Sequence, residues 1–323
     1  MRFVYVMDPM ERILADKDTT FAFQRAAQAR GHVALHCLPK DLFLSGGEVC
    51  TRYREVSILD APPYFAYGAE GEVRLADVEA VFMRKDPPFD VPYLYATLLL
   101  ERARGRTVLI NDPRGLRDAN EKLYGQHFAR HMPKTLVSAH RDKIMAFVAE
   151  VGGKAVIKPL YGAGGSGVML LRTDDKNAPA ICEVLTLDGQ QLAMVQEYLP
   201  AVTAGDKRVL LLDGEVLGAI NRVAPGADFR SNIHVGGRVE PCEVTPEERA
   251  IIADIAPRLR QDGLIFVGLD FIGGKITEIN VTSPTGIQEL SRHRGEDVAA
   301  RVVRWAEAQA HDLRPSLQSI PVL

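Results

Sequence analysis

Apolar and polar residues follow two different periods along the first third of the chain. Phe3 to Met7 is an unbroken apolar run, the signature of a strand buried on both faces. Thr19 to Arg30 carries apolar residues at helical spacing behind Asp18, a side chain suited to cap a helix start, and Gly31 stops it. Val33 to Cys37 returns to strand, which makes a βαβ opening. Glu79 to Met83 predicts another strand, which Pro87 and Pro88 prevent from continuing. Tyr93 to Arg104 predicts a helix closed by Gly105, and Thr107 to Asn111 a further strand. Strands separated by helices in this way pack as a parallel, doubly wound sheet. That α/β domain is expected to end near Asn120.

A helical stretch from Glu121 to Arg130 follows, and then the pattern changes. Lys154–Lys158, Gly167–Leu171, Met194–Leu199, Lys207–Leu212 and Glu215–Arg222 read as short strands, with Asp213-Gly214 turning between the last two. A helix from Asp142 to Val151 lies beside this antiparallel β-structure. The stretch from Pro225 to Gly237 has no clear period and is long enough to suggest a mobile functional loop. Thr245-Pro246-Glu247-Glu248 is a capping box with proline at the first helical position, and Ile251, Ile252, Ile255 and Leu259 form the apolar face of its helix. Strands over Ile265–Ile272 and Lys275–Val281 and a helix over Glu296–Gln309 complete the order. The tail from Asp312 to Leu323 is expected to be loose.

Composition narrows the class of protein. Acidic residues outnumber basic ones, 42 to 39, so a general nucleic-acid binder with a basic excess is not expected. No apolar run reaches the ~20 residues needed to span a bilayer, and Phe3–Met7 is too short for a secretory signal. Cys37, Cys50, Cys182 and Cys242 are widely spaced and read as reduced thiols in a cytoplasm.

Three groups of residues suggest chemistry. Gly162-Ala163-Gly164-Gly165-Ser166-Gly167 matches G-x-G-x-x-G, yet the apolar run Val168–Leu171 suits a strand better than the helix a dinucleotide fingerprint requires. It is either an ordinary Gly-rich turn or a flexible loop whose N–H groups fold over phosphates. Lys158 precedes this loop amid apolar residues, and with Lys122 it resembles a phosphate cradle. Glu278 and Asn280, two apart on a strand, offer hard oxygen donors to one face, as Mg²⁺ prefers. Asp270 joins them only if the connection near Gly273-Gly274 has odd parity, which predicts a three-residue turn with a Gly bulge. The bland reading is the polar outer face of an edge hairpin.

Several looser features accompany these. Asp206 and Arg208 open a strand and could meet ribose hydroxyls and a transferring phosphoryl group, or be loop charges. The strand ending Gln196-Glu197-Tyr198-Leu199 could offer its backbone to a purine edge in an apolar slot, or be plain core. Arg222, Arg230, Asn232 and Arg238 could recognise an anionic substrate under a lid, or be solvated. His127 and His131 have i, i+4 spacing but no following glutamate, so zinc is discounted.

Taken together, these pieces resemble the ATP-grasp superfamily, and the match narrows to the bacterial-type glutathione synthetases. It is carried by Val6-Met7-Asp8-Pro9, Met83 to Asp90 with Arg84-Lys85-Asp86-Pro87-Pro88, Leu116 to Leu123, Gly205 to Val209, and Gly263–Asp270 running on to Thr277–Thr285. One departure is Ala163-Gly164-Gly165, where that family usually carries Met-Gly-Gly. The resemblance implies a Rossmann-like substrate domain over 1–120 and an ATP-grasp fold over the remainder. That fold comprises a central lid subdomain at 121–200 and a catalytic subdomain at 201–311; the tail at 312–323 falls outside the resemblance. It implies ATP-dependent ligation of γ-glutamylcysteine to glycine through an acyl phosphate, with Mg²⁺ or alternatively Mn²⁺ on Asp270, Glu278 and Asn280.

The resemblance further implies that Lys122, Lys158, the loop residues Gly162, Gly164, Gly165, Ser166 and Gly167, and then Glu197, Tyr198, Leu199 and Asp206 hold ATP. Arg208, Lys158 and Arg222 would be the catalytic cations. Arg222, Arg230 and Asn232 would face the peptide, and Ser283 and Thr285 the glycine end, under a lid from Val223 to Arg238. A homotetramer is expected from the resemblance alone. The alternatives are a D-alanine or glutamate ligase on the same fold, a synapsin-like ATP-binding scaffold without turnover, and, third, a dinucleotide oxidoreductase.

Overall fold

The computed structural model describes residues 1–162, 164–224 and 238–318 of the chain. In chain order the first third contains β1 (Arg2–Val6), α1 (Thr19–Ala29), β2 (Val33–Cys37), β3 (Leu42–Ser45), β4 (Glu48–Ile58), β5 (Phe65–Arg74), β6 (Ala80–Met83), α2 (Val91–Leu100), β7 (Val108–Ile110) and α3 (Pro113–Asp118). The strands β2-β1-β6-β7 run parallel, as the alternation predicts. Asp18 accepts the Phe21 N–H at 2.7 Å and caps α1. The antiparallel strands β3, β4 and β5, which the sequence reading missed, extend the sheet beyond β2. β1 lies between β2 and β6, so the connections diverge on either side of it and a crevice forms at the carboxyl ends of β1 and β6.

The middle of the chain forms β8 (Thr135–Ser138), α4 (Arg141–Glu150), β9 (Lys154–Pro159), β10 (Met169–Arg172), α5 (Ala178–Thr186) and β11 (Ala193–Glu197). The strands make a separate antiparallel sheet, ordered β10-β9-β11-β8. Its core, built around Ile144, Val148, Ile157, Leu171 and Val195, is its own. Residues 121–130, expected to be helical, instead form a 3-10 segment from Tyr124 to His131 that kinks at Phe128 (φ −122°, ψ 37°).

The remainder contains β12 (Asp206–Leu212), β13 (Glu215–Val223), β14 (Arg238–Cys242), α6 (Pro246–Gln261), β15 (Phe266–Ile272), β16 (Lys275–Asn280), α7 (Ile287–Arg294) and α8 (Ala299–Gln318). The sheet order is β14-β13-β12-β15-β16. Helix α8 continues to Gln318, which corrects the expected loose tail up to that residue; 319–323 lie outside the described residues. On α6, Thr245 Oγ1 accepts the Glu248 N–H at 3.2 Å while Glu248 Oε2 accepts the Thr245 N–H at 2.9 Å. Replacing Thr245 with alanine is expected to lower unfolding free energy by about 1 kcal/mol, measured by urea titration. No change would show that Glu248 holds the helix start alone.

Alternation along the strands joins the first and last sheets into one body. Val4 and Val6 enter the same apolar core as Val209, Leu211, Val267 and Leu269. Phe3 and Tyr5, on the opposite face of β1, join Leu210, Leu212, Phe266 and the inner side of α8. Asn111 fastens the two sheets together. Its Nδ2 donates to the Phe266 and Val281 carbonyls at 2.9 and 2.7 Å, and its Oδ1 accepts the Ile265 and Phe266 N–H groups at 2.8 and 2.7 Å. The buried amide is thereby fully satisfied. The middle sheet, with its separate core, stands over this body and leaves a gap beneath it.

Candidate active site

Two cavities meet at this gap. The first lies between the middle sheet and the β12–β15–β16 face. Along β9, Ala155 and Ile157 enter the core while the alternate residues Val156 and Lys158 line the cavity. Across from them, Asp270 and Ile272, also two apart on one strand, line it from β15. The sequence reading missed the apolar walls Val156, Val168, Val202 and Ile272, although the two-residue period of β9 and β15 encodes two of them. Glu197, Tyr198 and Leu199 close one end. Glu197 Oε1 accepts the Lys134 N–H at 3.1 Å, and the Lys154 ammonium sits 3.5 Å over the Tyr198 ring.

At the other end lie Lys122, Gly162, Gly164, Gly165 and Ser166. Gly164 and Gly165 both take positive φ, 68° and 79°, so the loop needs glycine there to fold back over the cavity. Gly167 does not line the cavity; a Cβ there would stand 3.1 Å from the Pro159 ring, and its role is close packing. Lys122 donates to the Gly162 carbonyl at 3.0 Å and pairs with Glu278 at 3.3 Å. Lys158 donates to the Thr277 carbonyl at 3.3 Å. Burial, together with the neighbouring Lys122 charge, holds the Lys158 pKa below its ordinary value.

The hairpin at the junction reaches the predicted alignment by another route. The turn has two residues, since Ile272 pairs with Lys275 and Phe271 with Ile276. The register then shifts by one, leaving Thr277 as a bulge, so that Asp270 stands opposite Glu278 and Gly268 opposite Asn280. The expected three-residue turn is therefore corrected: the extra residue lies inside the strand. Asn280 Nδ2 donates to Asp270 Oδ2 at 3.2 Å, which places the trio on one face.

Asp270 carries most of the local charge pairing. Arg208 holds it bidentately, Nε to Oδ1 at 2.6 Å and Nη2 to Oδ2 at 2.8 Å, and Arg222 Nη2 reaches Oδ2 at 3.0 Å. Burial alone would raise the Asp270 pKa, but the two guanidinium groups outweigh it and hold the carboxyl well below the usual range. Asp206, whose Oδ2 also accepts from Arg222, is pushed up to about 6 by burial, against the pull of that arginine. Arg222, expected to face a peptide, thus has its guanidinium committed to Asp206 and Asp270, and Arg208 likewise serves Asp270.

The second cavity occupies the crevice at the carboxyl ends of β1 and β6. Arg208, Arg222, Asn280, Ser283 and Thr285 line it together with Asp8, Arg84 and Lys85. Gly164 and Glu278 line both cavities and mark where they join. Two residues of the quoted segments have roles the sequence reading did not assign. Arg84, buried, donates to the Pro284 carbonyl at 3.0 Å and fixes the Ser283–Thr285 loop. Glu121 Oε1 accepts the Val281 and Thr282 N–H groups, both at 2.9 Å, and the Thr282 hydroxyl at 2.7 Å, holding the strand that carries Glu278 and Asn280. Arg230, Asn232 and the suspected loop from Pro225 to Gly237 lie outside the described residues.

A divalent cation fits the hairpin by donor chemistry. Among the described residues no group of three His, Cys, Asp or Glu side chains could hold a metal ion, so the donor set is two carboxylates and one amide. A half turn of the Asn280 amide presents its oxygen beside Asp270 and Glu278, three hard donors that leave room for phosphate oxygens. No helix among the described residues is long and apolar enough to cross a membrane.

Comparison with known proteins places this geometry in a family. A model of the N-terminal domain of prokaryotic glutathione synthetases matches residues 1–117, and a model of their ATP-grasp domain matches 121–295. The glutathione synthetase of Synechocystis sp. is 42% identical over 320 residues, covering 96% of this chain and 100% of the relative. That of Synechococcus elongatus is 44% identical over 319 residues, covering 95% and 98%. Among solved structures, D-cycloserine synthetase DcsG superposes with a TM-score of 0.66 at 18% identity, covering 97% and 100%. A RimK-domain ATP-grasp protein of Sphaerobacter thermophilus gives 0.61 at 21%, covering 94% and 98%, and these two likenesses bear on the fold alone. The α/β domain followed by an ATP-grasp fold is as the sequence led one to expect, and the chain belongs to the prokaryotic glutathione synthetase family.

Proposed function

We infer that this chain joins the cysteinyl carboxylate of γ-glutamylcysteine to the amine of glycine, converting ATP to ADP and phosphate. The observation that carries the reading is the meeting of an apolar-walled, lysine-ended slot with a second, arginine-lined cleft at Gly164 and Glu278. ATP in the first cavity, its purine beside Tyr198 and Leu199, directs its terminal phosphate to that junction. The peptide lies in the second, its carboxylate at the junction and the glycine end near Ser283 and Thr285.

The carboxylate oxygen attacks the γ-phosphorus and ADP leaves; the neutral glycine amine then attacks the acyl carbon and phosphate departs. Phosphoryl transfer of this kind needs alignment and charge neutralisation more than a protein nucleophile. Lys122 and Lys158 hold the phosphates, and Arg208 and Arg222 place fixed positive charge beside the transferring group. Asp270, Glu278 and Asn280 would hold Mg²⁺, or Mn²⁺, which would supply charge neutralisation for the phosphates. The Gly loop lies over the junction, where excluding water preserves an acyl phosphate.

ADP release with a panel of acceptors tests this reading. Mg²⁺-dependent release is expected with γ-glutamylcysteine plus glycine and not with D-alanine or glutamate acceptors. Absence of stimulation by the first pair would remove the proposal. A cytoplasmic homotetramer extends the same reading, and sedimentation of the purified chain as a monomer would contradict the assembly.

A further inference from the structure

A third cavity, of about 1060 Å³, lies apart from the reaction and shares only Ile13 and Leu14 with the second. None of its lining residues lines the slot beneath the middle sheet. The segment between β1 and α1 is its wall on the side of the second cavity, and the β4–β5 connection and the end of α7 complete it. Its floor is apolar and largely aromatic: Met10 and Phe21 are 1% and 2% exposed, and Phe65 packs partly buried against the same core. Leu59 and Tyr64 line it as well, and both are exposed.

The polar lining is negative on balance. Glu11, Asp16, Asp60, Glu296 and Asp297 stand against Arg25 and Arg292. Arg292 is already committed, since Nη1 donates to the Asp16 carbonyl at 2.8 Å and Nη2 meets Glu289 at 3.4 Å. Carboxylates alone would be an ordinary solvated surface, but Gln288 adds a built acceptor. This residue is 4% exposed and lines the third cavity, not the second. Its Nε2 is spent on the Ala15 and Asp18 carbonyls at 3.0 and 2.6 Å, which fixes the amide, and no described residue donates to its Oε1. A buried amide oxygen is rarely left without a donor, so the cavity offers a place for an N–H group.

We propose that the third cavity is an effector site for a small aryl-alkyl ammonium compound. The ring lies on the Met10, Phe21 and Phe65 floor, and the ammonium donates to Gln288 Oε1 within the field of the carboxylates. Ile13 and Leu14 line both cavities, so a ligand packed on one side of them bears on the cleft on the other. Gln288 and Arg292 hold this same segment by its Ala15, Asp16 and Asp18 carbonyls, which places the bound ammonium beside the contacts that position the wall. Binding at the site stands independently of the function proposed above, whereas its effect on the peptide rests on that reading.

Calorimetric titration with 2-(1-naphthyl)ethylammonium, compared with 1-naphthylacetate, tests the site, because the two share a ring and differ in charge. The ammonium is expected to bind with a Kd below about 1 mM, and the carboxylate at least about tenfold more weakly. Saturating ATP with Mg²⁺ should change the ammonium Kd less than about twofold, since the nucleotide lies elsewhere. Asp60→Lys and Leu59→Lys, both far from the junction, should each weaken it about three- to tenfold and leave ligation without the probe unchanged. Coupling through the wall should change the Kd of γ-glutamylcysteine by about threefold or more when the probe saturates, and the peptide should change the Kd of the probe by the same factor. Equal affinity for both naphthyl compounds, no binding up to about 10 mM, displacement by ATP, or indifference to both substitutions would overturn the site. Peptide and probe binding without mutual effect would overturn its role as an effector site. A chain that binds the probe selectively but not γ-glutamylcysteine would sink the functional reading and leave the ammonium site supported.

Discussion

Exchanging Glu278 for glutamine is expected to slow ligation by about 10²- to 10³-fold at saturating ATP, with the KM for ATP changed by less than about tenfold. Glu278 stands opposite Asp270 through the bulge at Thr277 and lines both cavities where they join. It also pairs with Lys122 at 3.3 Å. The substitution preserves volume and backbone pairing but removes a negative charge from the proposed cation site and the ion pair with Lys122, which keeps its hydrogen bond to the Gly162 carbonyl. Nucleotide affinity rests largely on the apolar slot and Lys158 and should persist. Steady-state kinetics with ATP and Mg²⁺ varied separately check this, and an unchanged kcat would refute the role assigned to the hairpin.

The largest expected loss of stability comes from Asn111→Ala. The side chain satisfies the Phe266 and Val281 carbonyls and the Ile265 and Phe266 N–H groups, at the start of β15 and just past the end of β16, between the first and last sheets. Each orphaned buried group costs about 1–3 kcal/mol, and water entering the vacated space recovers part of this, so a loss of about 3–5 kcal/mol is expected. Trp305, the single tryptophan, packs against the core shared by these sheets and reports the transition by fluorescence during urea unfolding. A loss below about 1 kcal/mol would mean that the sheets are held by apolar packing alone.

Elements with strong local signals were readable before the structure. β2 occupies Val33–Cys37 as read from its apolar run, and Thr245 and Glu248 form the capping box their spacing announced. Elements whose formation depends on distant partners were not. β4 carries charged residues and β5 charged and glycine residues on half-exposed faces, so their pattern lacks the apolar alternation that marks a strand. β14 contains Pro241, which edge position permits but sequence cannot anticipate. Glu121 and Arg84 were quoted only as motif letters, because their partners at Val281, Thr282 and Pro284 lie far away in sequence.

The hairpin of β15 and β16 was legible in part. Alternation required one extra, unpaired residue in the connection between Asp270 and Glu278, and the structure has one. Sequence could not say whether the extra residue sits in the turn or the strand, since Gly273-Gly274 suits either, and the choice fell on Thr277. The commitment of Arg208 and Arg222 to Asp270 was equally invisible, as it arises from pairing between β12, β13 and β15.

The hairpin bearing Asp270, Glu278 and Asn280 is proposed to receive the phosphate end of a nucleotide lying beneath the middle sheet. A crystal structure with Mg²⁺ and a non-hydrolysable ATP analogue tests it most directly. The purine is expected against Tyr198 and Leu199, with a cation about 2.0–2.1 Å from oxygens of Glu278 and Asn280 that also contacts the terminal phosphate. A nucleotide bound elsewhere, or phosphates ordered with no cation at the hairpin, would contradict it.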